Sequence, residues 1–376
     1  MSKWKIPMYK VLVDDYDVIY SSRVIKRGMS WAIGPEIEEF ESRLAKYVGT
    51  EYCIAFNSGT SAQHAALLAL GIKQQHRVIV PSFTFISTAN SVLMVNAKPV
   101  FADIEEESYG LDPVSVEKSI TTNTKAIMPI HYAGGACKID EIYDIAKRRH
   151  IPLIEDAAES LGAKTGKRMV GSYGEMAVFS FAGNKVLTTG EGGAIVTNSK
   201  KLYDKLKLIR SHGRQETENY FQSNLKPDYI SVGYNWRMSS ITAALGLSQF
   251  KKLGKMISMR QKNAKYLSSK LRDMGIAVPQ ENTFEHVYQL YSVRLKSKRL
   301  RDGLMNYLTK NGIMSKIYFE PVHKALLYRK LGYSKQKLPV TNKVSEQILS
   351  LPMYPTMKQS DLNLIVDTVG KFMKRN

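Results

Sequence analysis

A single lysine, Lys185, stands in a loop of small and polar residues between two apolar runs. The runs Met176–Phe181 and Ala194–Val196 predict buried strands, and three glycines lie between them in Gly190–Gly193. Such glycines indicate a backbone that bends sharply or that another group approaches closely. Lys185 is therefore either a solvated surface lysine, as most lysines are, or a lysine held in a cleft where its amine does chemistry.

The elements around this loop follow a regular alternation. Up to about residue 200, short apolar runs that predict strands alternate with longer stretches that predict helices. The further predicted strands cover 53–56, 77–81, 99–103, 125–131 and 152–156. This order is typical of a mostly parallel sheet with helices on both faces, in which ligands bind beyond the carboxyl ends of the strands. The residues at those ends are the candidates for a site.

The turn Asn57–Ser61 follows the first of these strands and leads into a predicted helix over 62–70. The unpaired N–H groups and the dipole at such a helix start can bind an anion. Plain capping of the helix by Ser58 or Thr60 explains the same residues equally well. The turn is not a Walker phosphate loop, because no Gly-Lys-Ser/Thr follows it.

Asp156 ends another buried run, within Glu155–Ser160. A carboxylate in this place needs a cation or hydrogen-bond donors as partners. Asp156 either caps the following helix or faces a protonated ring nitrogen. The residue by itself does not decide between these two interpretations.

The composition limits the class of protein. The net charge of +20 suits nucleic acid, an anionic membrane surface or small polyanionic substrates. The basic residues are dispersed and no basic stripe is interleaved with aromatic residues, which favours a phosphorylated ligand. Two cysteines, Cys53 and Cys137, are too few for a disulfide framework and lack zinc-site spacing, so no metal site is predicted. No membrane span or signal peptide is indicated, and the cytoplasm is the expected location.

The pattern changes after residue 200, and two domains are predicted. Residues 1–250 are expected to form a large domain, and residues 251–376 a smaller C-terminal α/β domain. The smaller domain is expected to contain a long helix over 250–275, a strand-like run at 287–293 and a helix over 301–311. The polar stretch 213–227 predicts a loop.

The strand-end groups together match the needs of pyridoxal phosphate. Its phosphate requires a helix start and hydroxyls, its ring an aromatic face, its pyridine nitrogen an aspartate, and its aldehyde a lysine that forms a Schiff base. No single one of these groups is specific, but their joint occurrence at the strand ends of one α/β domain predicts a pyridoxal phosphate site.

The chain also resembles the DegT/DnrJ/StrS-type family of sugar aminotransferases, through most of its length. The resemblance is carried by motifs that occur in the same order and spacing, namely Asn57–Ala62, Pro81–Phe85, Glu155–Glu159, Ser180 to Gly193 with Lys185, and Gly233–Met238. It implies the fold type I architecture of pyridoxal phosphate enzymes, with a large, mostly parallel, seven-stranded sheet domain and a smaller C-terminal α/β domain.

The resemblance implies a role for each matching residue. Lys185 should form the Schiff base and move the proton, Asp156 should pair with the pyridine nitrogen, and Phe85 should stack on the ring. The phosphate should be held by the turn that contains Gly59, Thr60 and Ser61, and by Ser180. Asn235 should reach the cofactor of the neighbouring subunit in a homodimer, although without the family pattern it would be an ordinary loop asparagine. Glu159 stands where many relatives have glutamine, near the cofactor's 3-oxygen, and Lys185 stands where dehydratase relatives have histidine.

The family resemblance implies a nucleotide-diphosphate keto sugar as acceptor and glutamate as amino donor. The segment Ile317–His323 is similar to the perosamine-synthase-like branch that aminates C4, with Tyr318, His323 and Arg237 as candidate substrate ligands. Alternatives are amination at C3, a cyclitol ketone as acceptor, His323 as a packed or surface residue, and a regulatory or nucleic-acid-binding protein on the same fold. The sequence leaves the nucleotide open.

Overall fold

Alternating strands and helices build the first part of the computed structural model, which describes residues 4–215, 224, 226–280 and 284–375. The strands, in chain order, are β1 Tyr52–Phe56, β2 Arg77–Pro81, β3 Lys98–Ala102, β4 Thr124–Ile127, β5 Ile154–Asp156, β6 Lys164–Thr165, β7 Arg168–Met169, β8 Met176–Ser180, β9 Gly193–Thr197, β10 Arg214–Gln215, β11 Asp228–Tyr229, β12 Phe284–Glu285, β13 Tyr291–Arg294 and β14 Ile348–Leu351. The helices are α1 Asp15–Arg27, α2 Pro35–Val48, α3 Gly59–Ala69, α4 Ile86–Met94, α5 Pro113–Ser119, α6 Ile139–Arg148, α7 Lys200–Arg210, α8 Ser240–Lys251, α9 Leu253–Arg272, α10 Lys298–Lys310, α11 Leu326–Lys330, α12 Pro339–Gln347 and α13 Gln359–Met373. No helix in these described ranges is long and apolar enough to cross a membrane.

The main sheet has the strand order β3-β2-β4-β5-β8-β9-β1. Parallel bridges from Ile127 to Leu153 and from Ile130 to Asp156 join its two halves. Every neighbouring pair is parallel except those of β9, which runs antiparallel to both β8 and β1. The predicted α/β class with a mostly parallel sheet is therefore confirmed.

Some predicted bounds were wrong. The sequence predicts that Ser82–Phe85 opens a helix, but α4 begins only at Ile86, because Phe85 is extended (φ −65°, ψ 141°) and takes the N-cap position. The strand expected over 125–131 stops at Ile127, and the chain instead turns at Tyr132–Gly134. Most of the predicted loop at 213–227 lies outside the described residues.

Alternate side chains of the sheet pack against two helical layers. In β1, Ile54 and Phe56 belong to a buried cluster with α3 and α4, whereas Cys53 and Ala55 belong to a second cluster with α2 and α8. The period of two residues in a strand places successive side chains on opposite faces, so both faces of the sheet are covered.

The antiparallel direction of β9 positions the loop of Lys185. Because β8 ends and β9 begins at the same edge of the sheet, the connection 181–192 lies at the carboxyl ends of the parallel strands. This connection requires Gly193, where a Cβ atom would lie 2.4 Å from the Ser58 carbonyl oxygen and 2.6 Å from the Gly59 nitrogen. The glycines near Lys185 thus allow the start of β9 to contact the turn before α3.

The C-terminal part of the chain has a hydrophobic cluster of its own. The antiparallel pair β13 and β14 packs with α9, α10 and α13, and Ile6 from the N-terminal segment joins this cluster and bridges to Ile313. Residue 316 pairs with Ser350 of β14, which extends the pair by one bridge and leads the chain to Tyr318. The division into domains at residue 250 stays a prediction.

We expect Gly193→Ala to lower the free energy of unfolding by about 1–3 kcal/mol, because the added methyl group overlaps backbone atoms of Ser58 and Gly59. Gly254→Ala in α9 is the matched control, since a Cβ atom there has no neighbour within 4 Å. The control should raise this free energy by up to about 1 kcal/mol. Urea unfolding measures both, and equal stability of the two variants would contradict the close approach at Gly193.

Candidate active site

A cavity of about 350 Å³ lies at the carboxyl edge of the main sheet. It is within the size range of small-molecule sites in proteins. Eight of the residues predicted from the sequence line it, namely Gly59, Thr60, Phe85, Asp156, Glu159, Ser180, Lys185 and Tyr318. The structure therefore brings together most of the predicted site, from segments that are far apart in the chain.

Two other predicted residues, Ser61 and His323, are buried and do not line the cavity. The Ser61 hydroxyl donates to Asn57 Oδ1 at 2.7 Å, within the turn itself. His323 Nδ1 lies 2.7 Å from Ser82 Oγ, behind the segment that leads to Phe85. Burial lowers the pKa of His323, which favours the neutral imidazole.

The remaining two, Asn235 and Arg237, lie away from the cavity lining. Asn235 forms a bridge with Ser211, and Arg237 forms one with Phe56 and donates from Nη1 to Ser211 Oγ at 3.2 Å. Asn235 is exposed, so its side chain is accessible from outside the subunit.

The start of α3 forms an anion cradle at one end of the cavity. Ser58 is its N-cap, and the Ser58 hydroxyl accepts from the Ser61 N–H at 3.0 Å. Among the described residues, the N–H groups of Gly59 and Thr60 donate to no protein acceptor. Ser180 adds a hydroxyl at the cavity wall, and a Cβ atom on Gly59 would lie 3.0 Å from Ser180 Cβ. Capping by Ser58 therefore does not exclude anion binding, because the cap leaves two donors and the helix dipole available.

Asp156 presents a buried carboxylate to the cavity. Its Oδ2 atom accepts from Gln63 Nε2 and Thr88 Oγ1, both at 2.7 Å, and its Oδ1 atom accepts from the Ala158 N–H at 3.2 Å. No cationic side chain of the described residues lies within 4 Å of it. Burial raises the pKa of Asp156, while the hydrogen bonds from Thr88 and Ala158 and the charge of Lys185 oppose this shift. A cationic ligand atom beside the carboxylate would stabilise its charged form.

Lys185 and Glu159 meet inside the cavity. Lys185 Nζ lies 3.6 Å from Glu159 Oε1, and both side chains are largely buried. Glu159 Oε2 accepts from the Ala133 N–H at 2.9 Å, which holds the carboxylate in place. Burial raises the pKa of Glu159, and the nearby Lys185 charge and the Ala133 N–H oppose this shift. The lysine is thus held in a cleft, and the solvated interpretation of Lys185 was wrong.

Aromatic side chains form the wall opposite α3. Phe85 is 57% exposed and lines the cavity, and its ring centroid lies 6.3 Å from that of Phe319. Tyr318 and Phe319 come from the C-terminal part of the chain. Lys316 also lines the cavity, with its Nζ 4.9 Å from the centre of the Tyr318 ring.

Four residues that contribute to the cavity were missed from the sequence: Gln63, Thr88, Gln289 and Lys316. Gln63 and Thr88 hold Asp156, and Gln289 Nε2 donates to the Asn184 carbonyl at 2.8 Å, which fixes the loop beside Lys185. The sequence could have indicated Gln63 and Thr88, since each is a polar residue on the buried side of an apolar helix. Lys316 and Gln289 had no local signal.

Comparison with known proteins assigns the family. The family model of the DegT/DnrJ/EryC1/StrS aminotransferases matches residues 16–370. The chain is 37% identical over 347 residues to the GDP-perosamine synthase of Caulobacter vibrioides, covering 91% of each chain. A solved DegT/DnrJ/EryC1/StrS aminotransferase structure from Brucella abortus is 34% identical, with a TM-score of 0.87 over 96% of this chain and 95% of that one. The PseC aminotransferase of Helicobacter pylori, involved in pseudoaminic acid biosynthesis, is 27% identical, with a TM-score of 0.92 over 99% and 100%.

The chain therefore belongs to the DegT/DnrJ/EryC1/StrS aminotransferase family. It is an enzyme, a pyridoxal phosphate-dependent aminotransferase. The predicted family, fold type and cofactor are thereby confirmed.

The cavity residues fit this cofactor. The two unpartnered N–H groups at the start of α3 suit its phosphate, and the buried carboxylate of Asp156, which has no cation of its own within 4 Å among the described residues, suits a protonated pyridine nitrogen. The Lys185 amine, held in the same cavity, suits its aldehyde. The individual roles of these residues stay predictions.

We expect Asp156→Asn to stabilise the cofactor-free chain at neutral pH, because the variant removes a buried charge and the Gln63 amide can turn its free Oε1 toward the new amide. The native pKa of Asp156 is raised, so the wild-type stability falls as the pH rises from the ordinary carboxyl pKa through the raised one. The advantage of Asp156→Asn should therefore be present at pH 7 and disappear in acid.

Urea unfolding of both proteins at a series of pH values measures this difference. Asp144→Asn is the control, because Asp144 is an exposed carboxylate on α6 and its replacement should give no pH-dependent difference. A less stable Asp156→Asn variant at pH 7 would show that the carboxylate is not a source of instability in the cofactor-free chain.

Proposed function

We propose that the chain transfers the amino group of glutamate to the 4-keto group of a nucleotide-diphosphate 4-keto-6-deoxy sugar, giving a 4-amino sugar of the perosamine or viosamine type. The observation that carries this proposal is the position of the Ile317–His323 segment. Its Tyr318 and Phe319 side chains line the cavity that also contains Lys185. The similarity to the GDP-perosamine synthase of Caulobacter vibrioides supports the same acceptor.

The reaction exchanges an amino group for a keto oxygen: glutamate becomes 2-oxoglutarate, and the keto sugar becomes the amino sugar. When bound, pyridoxal phosphate carries the amino group between the two substrates, and its protonated ring accepts the electrons of the bond that breaks at Cα. Lys185 Nζ takes the proton from Cα of the donor, which requires a neutral amine. Glu159 Oε1, 3.6 Å away, can hold the proton that the lysine loses.

The cavity lining contains the acids Asp156, Glu159 and Glu191 and the lysines Lys185 and Lys316, and one of these lysines, Lys316, suits an anionic substrate. Lys316 points into the cavity, and no carboxylate of the described residues lies within 4 Å of it. The lysine is therefore available for a substrate diphosphate or carboxylate. Tyr318, beneath the Lys316 ammonium, and Arg237, outside the lining, are further candidate ligands. His323, behind the wall, would act by positioning Ser82 rather than by contact.

We also propose a homodimer in which Asn235 reaches the neighbouring cofactor. Large apolar side chains are exposed in the surrounding segments, including Trp31, Ile230 and Val232, and the Trp31 carbonyl accepts from the Ser240 N–H, which brings these segments together. Monomers rarely expose such a group of apolar side chains. Light scattering of the cofactor-bound protein tests the dimer, and a monomer that retains cofactor would contradict it.

The proposed location is the cytoplasm. Cys53 and Cys137 are both free and buried, which agrees with a reducing compartment. Retention of activity in cells only when the chain is directed out of the cytoplasm would contradict this location.

We expect Lys185→Ala to lose the absorbance of the lysine-bound cofactor, a band at ~410–430 nm, because the Schiff base needs the lysine amine. Lys316→Ala is the matched control, since it removes the other lysine that lines the cavity and should keep the band. Absorbance spectra of the purified proteins decide the question. The assignment of Lys185 fails if its variant keeps the band, and a loss of the band in the Lys316 variant alone would assign the Schiff base to Lys316.

The acceptor is tested with ¹⁵N-labelled glutamate and a panel of ketones, read by mass spectrometry. The panel contains GDP-, UDP-, dTDP- and CDP-linked 4-keto-6-deoxy sugars, a 3-keto isomer and a free keto-cyclitol. We expect label in a 4-amino nucleotide sugar. Preferred labelling of the 3-keto isomer or of the free cyclitol would overturn the proposed acceptor, and salt-sensitive nucleic-acid binding without any labelled product would favour a regulatory protein.

A further inference from the structure

A surface segment of unusual composition follows the cavity wall in the chain. Between Pro321 and Ser345 the sequence contains six lysines and arginines and no aspartate or glutamate. Three leucines of this segment are exposed, with Leu326 at 60%, Leu327 at 49% and Leu331 at 50% exposure. The same segment carries five exposed cations: Lys324, Arg329, Lys330, Lys335 and Lys337. We call these eight side chains the basic leucine surface.

Buried contacts of Tyr328 hold the backbone of this surface in place. Tyr328 in α11 is fully buried, its hydroxyl donates to Asn90 Oδ1 at 2.8 Å, and its ring contacts those of Phe101 and Tyr333, each at 5.7 Å between centroids. Because Tyr328 points into the protein, Leu327 and Leu331, one helical turn apart, lie side by side on the outer face. The leucines are therefore presented to solvent by an ordered platform.

The cations of the basic leucine surface form no ion pair with the described residues of the subunit. Among the described residues, no carboxylate lies within 4 Å of any of the five. The sixth cation of the segment, Lys343, is different, because its Nζ lies 2.7 Å from Glu106 Oε1. Like charges in one exposed segment gain nothing from each other, and they attract an anionic partner.

The combination of groups distinguishes between possible partners. A surface for single-stranded nucleic acid would present aromatic rings for base stacking, but both tyrosines of the segment, Tyr328 and Tyr333, are buried. An interfacial membrane surface needs aliphatic side chains that enter the boundary between headgroups and acyl chains, flanked by lysine and arginine side chains that reach the headgroups. The basic leucine surface matches this description of an interfacial membrane surface.

We propose that the basic leucine surface docks the enzyme on an anionic phospholipid bilayer. Leu326, Leu327 and Leu331 enter the interface, and the five cations contact lipid phosphates. The interaction is peripheral and reversible, because three leucines bury little area compared with a membrane-spanning helix. This docking is independent of the amino acceptor, since it uses no residue that lines the cavity.

The test is co-sedimentation of the full-length protein with vesicles of phosphatidylcholine, with and without about one-third phosphatidylglycerol. We expect binding to the anionic vesicles only, and weaker binding as salt is added. Lys330→Glu with Lys335→Glu should weaken binding at least tenfold, since each basic residue near such a surface contributes about fivefold. Leu327→Ser with Leu331→Ser should also weaken it while leaving the charge unchanged.

Lys262→Glu with Lys265→Glu on α9 is the matched control, because it changes the net charge equally at another exposed surface. It should keep most of the binding. Equal binding to neutral and anionic vesicles, or equal loss in the control, would overturn the proposal. Single-stranded RNA as the partner is indicated instead if the leucine variant binds anionic vesicles like the wild type and if the wild type, but not the lysine variant, binds poly-U.

Discussion

A buried carboxylate that has no cation within 4 Å among the described residues is the constraint on which the site depends. Asp156 ends β5 inside the protein, where a charge is costly unless hydrogen bonds or an opposite charge offset it. Gln63, Thr88 and the Ala158 N–H supply three donors, and all three are neutral groups. The protonated nitrogen of pyridoxal phosphate would supply the missing positive charge. Cofactor binding and folding stability are therefore coupled at this residue, since a ligand that binds only the native state stabilises it.

The contact between the Lys185 loop and the turn before α3 depends on the direction of one strand, β9. If β9 were parallel to β8, its connection would have to cross to the opposite edge of the sheet, and Gly193 at the start of β9 would be far from the turn before α3. The antiparallel turn keeps the loop at the carboxyl edge, and Gly193 permits its contact with the turn before α3. The phosphate cradle and the lysine loop are thus packed directly on each other, which holds two chemically different groups at a constant separation.

Charge is distributed differently inside the cavity and on the surface. The cavity contains two lysines, Lys185 and Lys316, and the buried acids Asp156 and Glu159, so opposite charges are close enough to exchange protons or hold a polar substrate. The large positive net charge of the chain lies mainly outside the cavity, and in the basic leucine surface it is combined with exposed leucines. The overall charge alone could not distinguish a substrate from a surface partner, because only the side-chain arrangement separates the two.

The sequence by itself determined the order of the elements and the identity of the main chemical groups. Strand and helix patterns are local, and Lys185, Asp156, Phe85 and the Gly59–Ser61 turn each follow a predicted strand, so their place at one sheet edge could be predicted from topology. The tertiary structure alone decided which groups support them. Gln63 and Thr88 lie 93 and 68 residues from Asp156 in the chain, Gln289 lies 105 from Asn184, and His323 lies 241 from Ser82. The sequence periodicities of strands (two residues) and helices (3.6 residues) do not indicate such contacts. These contacts depend on how the helices and the C-terminal segment pack against the sheet.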